Sequence, residues 1–197
     1  MAMRERLAKL VSNILNPFLV SAVIITLLAF KTTSSAIDVL KWVLISVTLS
    51  VLPVFIAVMC LLRFRKLDSF FANPREQRNS IYVLASLVGA IGCGILWYFK
   101  APELLAVAFT AGLISIIVFM AINYFWKISL HTGFTAASVA VAIMVYGVTA
   151  AWSVIFLPLV GWARIELKQH TLGQVIAGGL LAAAIVSGVF WGFGVVG

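Results

Sequence analysis

Charge is scarce in this sequence. Of 197 residues 10% are charged and 63% hydrophobic, with a mean hydropathy of +1.16. A soluble domain carries about 25% charged residues, so that class is excluded and an integral membrane protein remains. Acidic residues are rarest, six against fourteen Lys and Arg. In a soluble chain the resulting formal charge of +8 would suggest nucleic acid. Here most basic residues flank apolar runs, where they anchor against anionic headgroups, and no polynucleotide groove is indicated. The two cysteines, Cys60 and Cys93, lie inside apolar segments without pair spacing or a metal-like cluster, so both read as packing residues. Ten-residue alternating stretches are also missing. The apolar runs are long and unbroken, as in Pro102 to Phe125, which excludes a transmembrane β-barrel and leaves helices.

The expected fold class is therefore an all-α polytopic membrane protein, a single integral membrane domain over 1–197. At roughly 20 to 25 residues per crossing, this length holds about seven helices and no sizeable soluble domain. A short basic lead enters a first span from Leu10 to Phe30, bent at Pro17. Further spans follow without a clear small-residue cleavage site, so the first reads as a retained helix and not a cleaved signal. A second span covers Trp42 to Leu62, and a charged connector, Arg63 to Ser80, is the longest polar stretch. Spans three and four, Ile81 to Phe99 and Pro102 to Phe125, are joined by a tight turn at Lys100-Ala101. One helix over the whole of 126–162 would be about 55 Å long against a hydrocarbon core of about 30 Å, so a hairpin turning at Gly147 is expected there. After a polar bridge at 164–169, the seventh span runs from Leu172 to Val196.

Seven crossings place the N-terminus, the connector, the corner near His131 and the 164–170 bridge on one membrane face. That face carries eleven basic residues: Arg4, Arg6, Lys9, Arg63, Arg65, Lys66, Arg75, Arg78, Lys127, Arg164 and Lys168. The other carries Lys31, Lys41 and Lys100. By the positive-inside rule the first is cytoplasmic. The expected location is the plasma membrane of a prokaryote.

Both histidines of the chain, His131 and His170, fall on that face at the ends of expected helices, one hairpin apart. Each alone is ordinary interfacial chemistry. Together they can meet at one depth if spans five and seven pack. Arg75, Arg78 and Arg164 lie on the same face. Arginine forks bind the equatorial oxygens of a phosphate and keep their charge at any relevant pH, while imidazole serves as nucleophile or general acid near neutrality. This is the side-chain set of phosphomonoester or diphosphate chemistry.

Three stretches carry a family resemblance. Arg164 is followed by five residues, then His170, with Ala163 before the arginine and Gln174 four residues after the histidine. Ser129 and His131 stand two apart, with Ile128 and Leu130 around them. Upstream the chain reads Pro74-Arg75-Glu76-Gln77-Arg78. The pattern resembles the type 2 phosphatidic acid phosphatase superfamily, whose motifs are Lys-x6-Arg-Pro, Pro-Ser-Gly-His and Ser-Arg-x5-His-x3-Asp. It covers about residues 74–190, where the resemblance implies a catalytic core. The third motif matches best, with Ala163 for serine and Gln174 for aspartate. In the second, Ile128 and Leu130 replace proline and glycine. Arg75 and Arg78 resemble an Asp-Arg-x-x-Arg form of the first, with Pro74 at the aspartate position.

The resemblance implies that His170 attacks phosphorus to form a phosphohistidine, that His131 protonates the leaving lipid oxygen, and that Arg164 with Arg75 or Arg78 stabilises the equatorial oxygens. Ser129 would join the phosphate site. Lys127 is either a further cation there or an interfacial anchor. No metal or organic cofactor is required. The Gln174 amide oxygen can accept the imidazole hydrogen bond but adds no negative charge. The implied substrate is a membrane lipid phosphate or diphosphate, polyprenyl or glycerolipid, presented in the inner leaflet. Two alternatives stand beside an active phosphatase: a catalytically weak or inactive relative that binds phospholipid headgroups, and a small transporter or scaffold. The sequence shows neither the paired repeats nor the midplane polar groups expected of a transporter.

Overall fold

A computed structural model describes residues 3–70 and 74–195. It is helical, with no strand among the described residues: α1 (Met3–Ile14), α2 (Pro17–Thr32), α3 (Ala36–Leu49), α4 (Val51–Arg63), α5 (Asn79–Tyr98), α6 (Glu103–Asn123), α7 (Leu130–Tyr146), α8 (Phe156–Glu166) and α9 (Leu172–Gly192). The chain divides into two compact units, Met1–Ile24 with Lys127–Gly197, and Ile25–Trp126.

In the first unit, the bend foreseen at Pro17 is a helix boundary, with α1 and α2 inclined at 42°. The Asn16 side-chain oxygen accepts the N–H groups of Phe18 and Leu19 at 2.9 and 3.0 Å. Asparagine thus caps α2, and proline follows at the first helical position, where its missing N–H costs nothing. At the far end of α7, Gly147 takes φ +66°, a conformation glycine adopts without steric cost. The chain continues as a 3₁₀ stretch over Gly147–Ile155 into α8, which packs back on α7 as well as on α1 and α9. Residues ten or more apart on one straight helix lie at least about 15 Å from each other, so this contact requires reversal. The expected hairpin is present.

The second unit holds two helix pairs. The apolar run 42–62 is broken at Ser50, between α3 and α4. Pro53 explains the position: its ring excludes the carbonyl four residues earlier, that of Leu49. Helix α5 packs along α6, where Thr110 Oγ1 accepts from Trp97 Nε1 at 3.1 Å and lies 3.3 Å from Cys93 Sγ. Cys93 is buried, whereas Cys60 is exposed on α4. The Lys100-Ala101 turn closes through Ala101 N–H to Leu96 C=O, with Lys100 at φ +52°.

Counted by length and apolar content, five helical stretches can cross a membrane, Ala36–Arg63, Glu76–Tyr98, Glu103–Asn123, Leu130–Glu166 and Leu172–Gly192, and the bent pair α1–α2 makes a sixth. Sequence reasoning expected seven. The difference is the Leu130–Glu166 hairpin, which the length count takes once and the sequence reading took as two crossings. Several long apolar helices are what an integral membrane protein requires.

Candidate functional site

Buried polar side chains gather in the first unit: Ser12, Asn16, Ser129, His131, Thr132, Thr135, Ser153, Arg164 and His170. Among helices that can span a membrane the ionisable ones, Arg164 and the two histidines, are costly and rare, and make this cluster the candidate site.

The stretch from Arg164 to His170 forms one tight turn. Helix α8 ends at Glu166, Lys168 enters the left-handed region at φ +53°, and the Arg164 carbonyl accepts the N–H groups of Gln169 and His170 at 3.0 and 3.3 Å. The five-residue spacing therefore ties the backbone of His170 to that of Arg164. The Arg164 guanidinium is buried, and its Nη1 donates to Ser12 Oγ of α1 at 2.9 Å. A second tie, the Arg4–Glu166 ion pair at 2.9 Å, joins the same two helices near the surface, where Arg4 is 71% exposed. Such an exposed pair adds little stability.

Helix α9 begins immediately after His170. Thr171 is its N-cap: its hydroxyl accepts the Gln174 N–H at 3.4 Å, and Gln174 Oε1 accepts the Thr171 N–H at 3.2 Å, completing a capping box. The same Oε1 lies 3.1 Å from His170 Nδ1. An amide oxygen only accepts, so this contact is made by a ring form that carries a proton on Nδ1.

Helix α7 begins beside α9. Ser129 caps it, its hydroxyl accepting the Thr132 N–H at 3.4 Å, and puts His131 in the first turn. The α7–α9 seam is tight at Gly178, where an added Cβ would stand 2.7 Å from the Ser129 carbonyl oxygen and 2.9 Å from Thr132 Oγ1. Ser129 and His131 thus lie on a helix packed against the one that His170 and Gln174 open. Lys127, half-buried, precedes Ser129.

Arg75 and Arg78 belong to the second unit and are engaged there. Arg75 donates from Nη1 to the Phe125 carbonyl at 3.0 Å and from Nε to Glu76 at 3.2 Å. Arg78 is buried, donates to the Tyr82 hydroxyl at 2.8 Å and stands 5.4 Å from the centroid of that ring. Fully buried Asn123 fixes this corner, donating to the Arg75 carbonyl and to Asn79 Oδ1 at 3.1 and 2.9 Å.

Sequence reasoning missed Ser12, Thr171, Asn123 and Thr135. Thr171-x-x-Gln174 is a readable capping-box pattern. Thr135 stands four residues after His131 on the same face, and its buried hydroxyl has no hydrogen-bond partner among the described residues. For Ser12, 152 residues from Arg164, no local signal exists. Among the described residues no three His, Cys, Asp or Glu side chains come together as a metal cluster.

No protein-family model matches this chain, and neither a curated protein nor a solved structure matches it significantly.

Proposed function

We propose that this membrane protein is a lipid phosphatase of the type 2 phosphatidic acid phosphatase kind, hydrolysing a polyprenyl or glycerolipid phosphate or diphosphate through a phosphohistidine. One observation carries the reading: the turn that ties His170 to Arg164 also holds the His170 ring, through Nδ1 on Gln174 Oε1 at 3.1 Å. In the first step His170 Nε2 forms a bond to phosphorus while the bond from phosphorus to the lipid oxygen breaks. His131 gives that oxygen a proton. In the second, water attacks phosphorus, the N–P bond breaks, inorganic phosphate leaves, and His131 takes up the proton. Arg164 stabilises the charge on the equatorial oxygens. Arg75 and Arg78, expected from the resemblance to bind phosphate, are engaged within the second unit and carry no step of this scheme.

This reading takes both arms of the 130–166 hairpin as crossings. Helix α7 has 17 residues, about 26 Å, and the returning arm combines nine 3₁₀ residues with eleven α-helical ones, about 34 Å. The resulting seven crossings put the N-terminus and the histidines on the cytoplasmic side, facing substrates of the inner leaflet.

A specific observation favours the second reading, a headgroup-binding protein without turnover. Gln174 Oε1 is shared between the imidazole and the helix cap and brings no charge to stabilise an imidazolium. Inorganic phosphate release from a panel of polyprenyl and glycerolipid phosphates separates the two. Release by the purified protein that disappears in His170→Ala supports the phosphatase; lipid binding with background release from both supports the binder.

A further inference from the structure

The second unit carries a groove of about 540 Å³ between α3 and α5. It lies at the opposite end of α5 from Arg78: the twenty residues of that helix measure about 30 Å. One close contact sets the groove's floor. At Gly92 the two helices approach so nearly that a Cβ would stand 3.1 Å from the Leu49 carbonyl oxygen, the oxygen Pro53 leaves out of the helical ladder. From there toward Lys41 and Phe99 the space between the helices stays open, walled by Ile45 and Leu49 on one side and Ile95 and Phe99 on the other. Its volume falls within the range of about 300–1,000 Å³ usual for ligand sites.

The mouth has the composition of a membrane boundary. Lys41, Trp42 and Phe99 line it, and Trp97, Tyr98 and Lys100 stand beside Phe99 in the chain, the aromatic and basic mixture that settles at headgroup level. Lys41 to Leu49 is eight residues, so the floor lies about 12 Å below the mouth, inside the hydrocarbon layer. Lys41 is the one charged group among the described lining residues. Its Nζ lies 4.9 Å from the Trp42 ring centroid, a cation–π contact that holds the ammonium at the rim.

We propose that this groove is a binding site for one anionic phospholipid, with an acyl chain between α3 and α5 and the headgroup phosphate on Lys41. An apolar trough alone would accept any bilayer lipid. The single cation at headgroup height selects for negative charge. The occupant is a structural lipid of the leaflet that meets Lys41, and the assignment is independent of any phosphatase activity.

The test is native mass spectrometry of the detergent-purified protein incubated with phosphatidylglycerol or phosphatidylcholine of identical chains. The wild type is expected to retain one phosphatidylglycerol and roughly tenfold less phosphatidylcholine, the counterpart of about 1.4 kcal/mol. Lys41→Glu should bring phosphatidylglycerol down to the phosphatidylcholine level, and Ile45→Trp, which fills the groove, should remove both adducts. Arg164→Ala should leave the adduct in place. Lys41→Gln at this exposed position supplies the milder variant should charge reversal disturb folding. Equal retention of the two lipids by the wild type would overturn the proposal, as would a phosphatidylglycerol adduct undiminished in Lys41→Glu or Lys41→Gln, one that survives Ile45→Trp, or one lost only in Arg164→Ala.

Discussion

Gln174 is where sequence and structure come closest and still differ. Its four-residue offset from His170 is enough to predict that the amide oxygen meets the imidazole, because side chains at that spacing share a helix face. Its second task, holding the Thr171 N–H, is written in the Thr-x-x-Gln pattern but is visible only once the helix start is known. The shared oxygen makes a clear substitution available. Gln174→Glu keeps an acceptor for both donors and adds a negative charge beside the imidazole, so phosphate release should rise about tenfold or more with little change in thermal midpoint. Ser12 is the opposite case. No periodicity in the chain connects it with Arg164, and only folding brings its hydroxyl to the buried guanidinium. Ser12→Ala should destabilise the protein by about 1–3 kcal/mol, read as a lowered thermal midpoint in detergent, since a buried charged donor loses an acceptor.

At the level of helices, the boundaries that the sequence makes legible are those with a stereochemical cause. Pro17 and Gly147 both mark breaks in the structure, for the reasons their backbones supply. The break at Ser50 was equally readable from Pro53, but an unbroken apolar run hides it from a hydropathy reading. Packing partners were less legible, because small residues recur along α9 and composition cannot tell which of them meets a neighbouring backbone. Gly178 does, and Gly188 faces open space with nothing within 4 Å of its built Cβ. The two should answer alanine with opposite signs. Gly178→Ala forces α7 and α9 apart at Ser129 and should cost about 1–3 kcal/mol, whereas Gly188→Ala should stabilise α9 by up to about 1 kcal/mol through helix propensity. Paired thermal melts measure both.

Across the whole molecule, composition alone identifies a helical membrane protein, while the number of crossings depends on the bent pair α1–α2 and on the stretch 130–166, whose length fits neither one helix nor two ample ones. On the proposed seven crossings the basic residues divide eleven against three, and the proposed sidedness has a direct check. In a background without Cys60 and Cys93, a cysteine placed at Ser34 should react with an impermeant maleimide added outside intact cells, and one at Asp68 only after the membrane is opened. What composition and topology leave open is chemistry, which rests on the turn from Arg164 to Gln174. The most direct measurement is a trapped phosphoenzyme: protein mixed with a lipid substrate carrying labelled phosphate, quenched in alkali, digested and mapped. The account predicts an acid-labile, alkali-stable label on the peptide holding His170, absent from His170→Ala and persisting longer in His131→Ala. Phosphate release at the same rate from wild type and His170→Ala, with no label on that peptide, would contradict it.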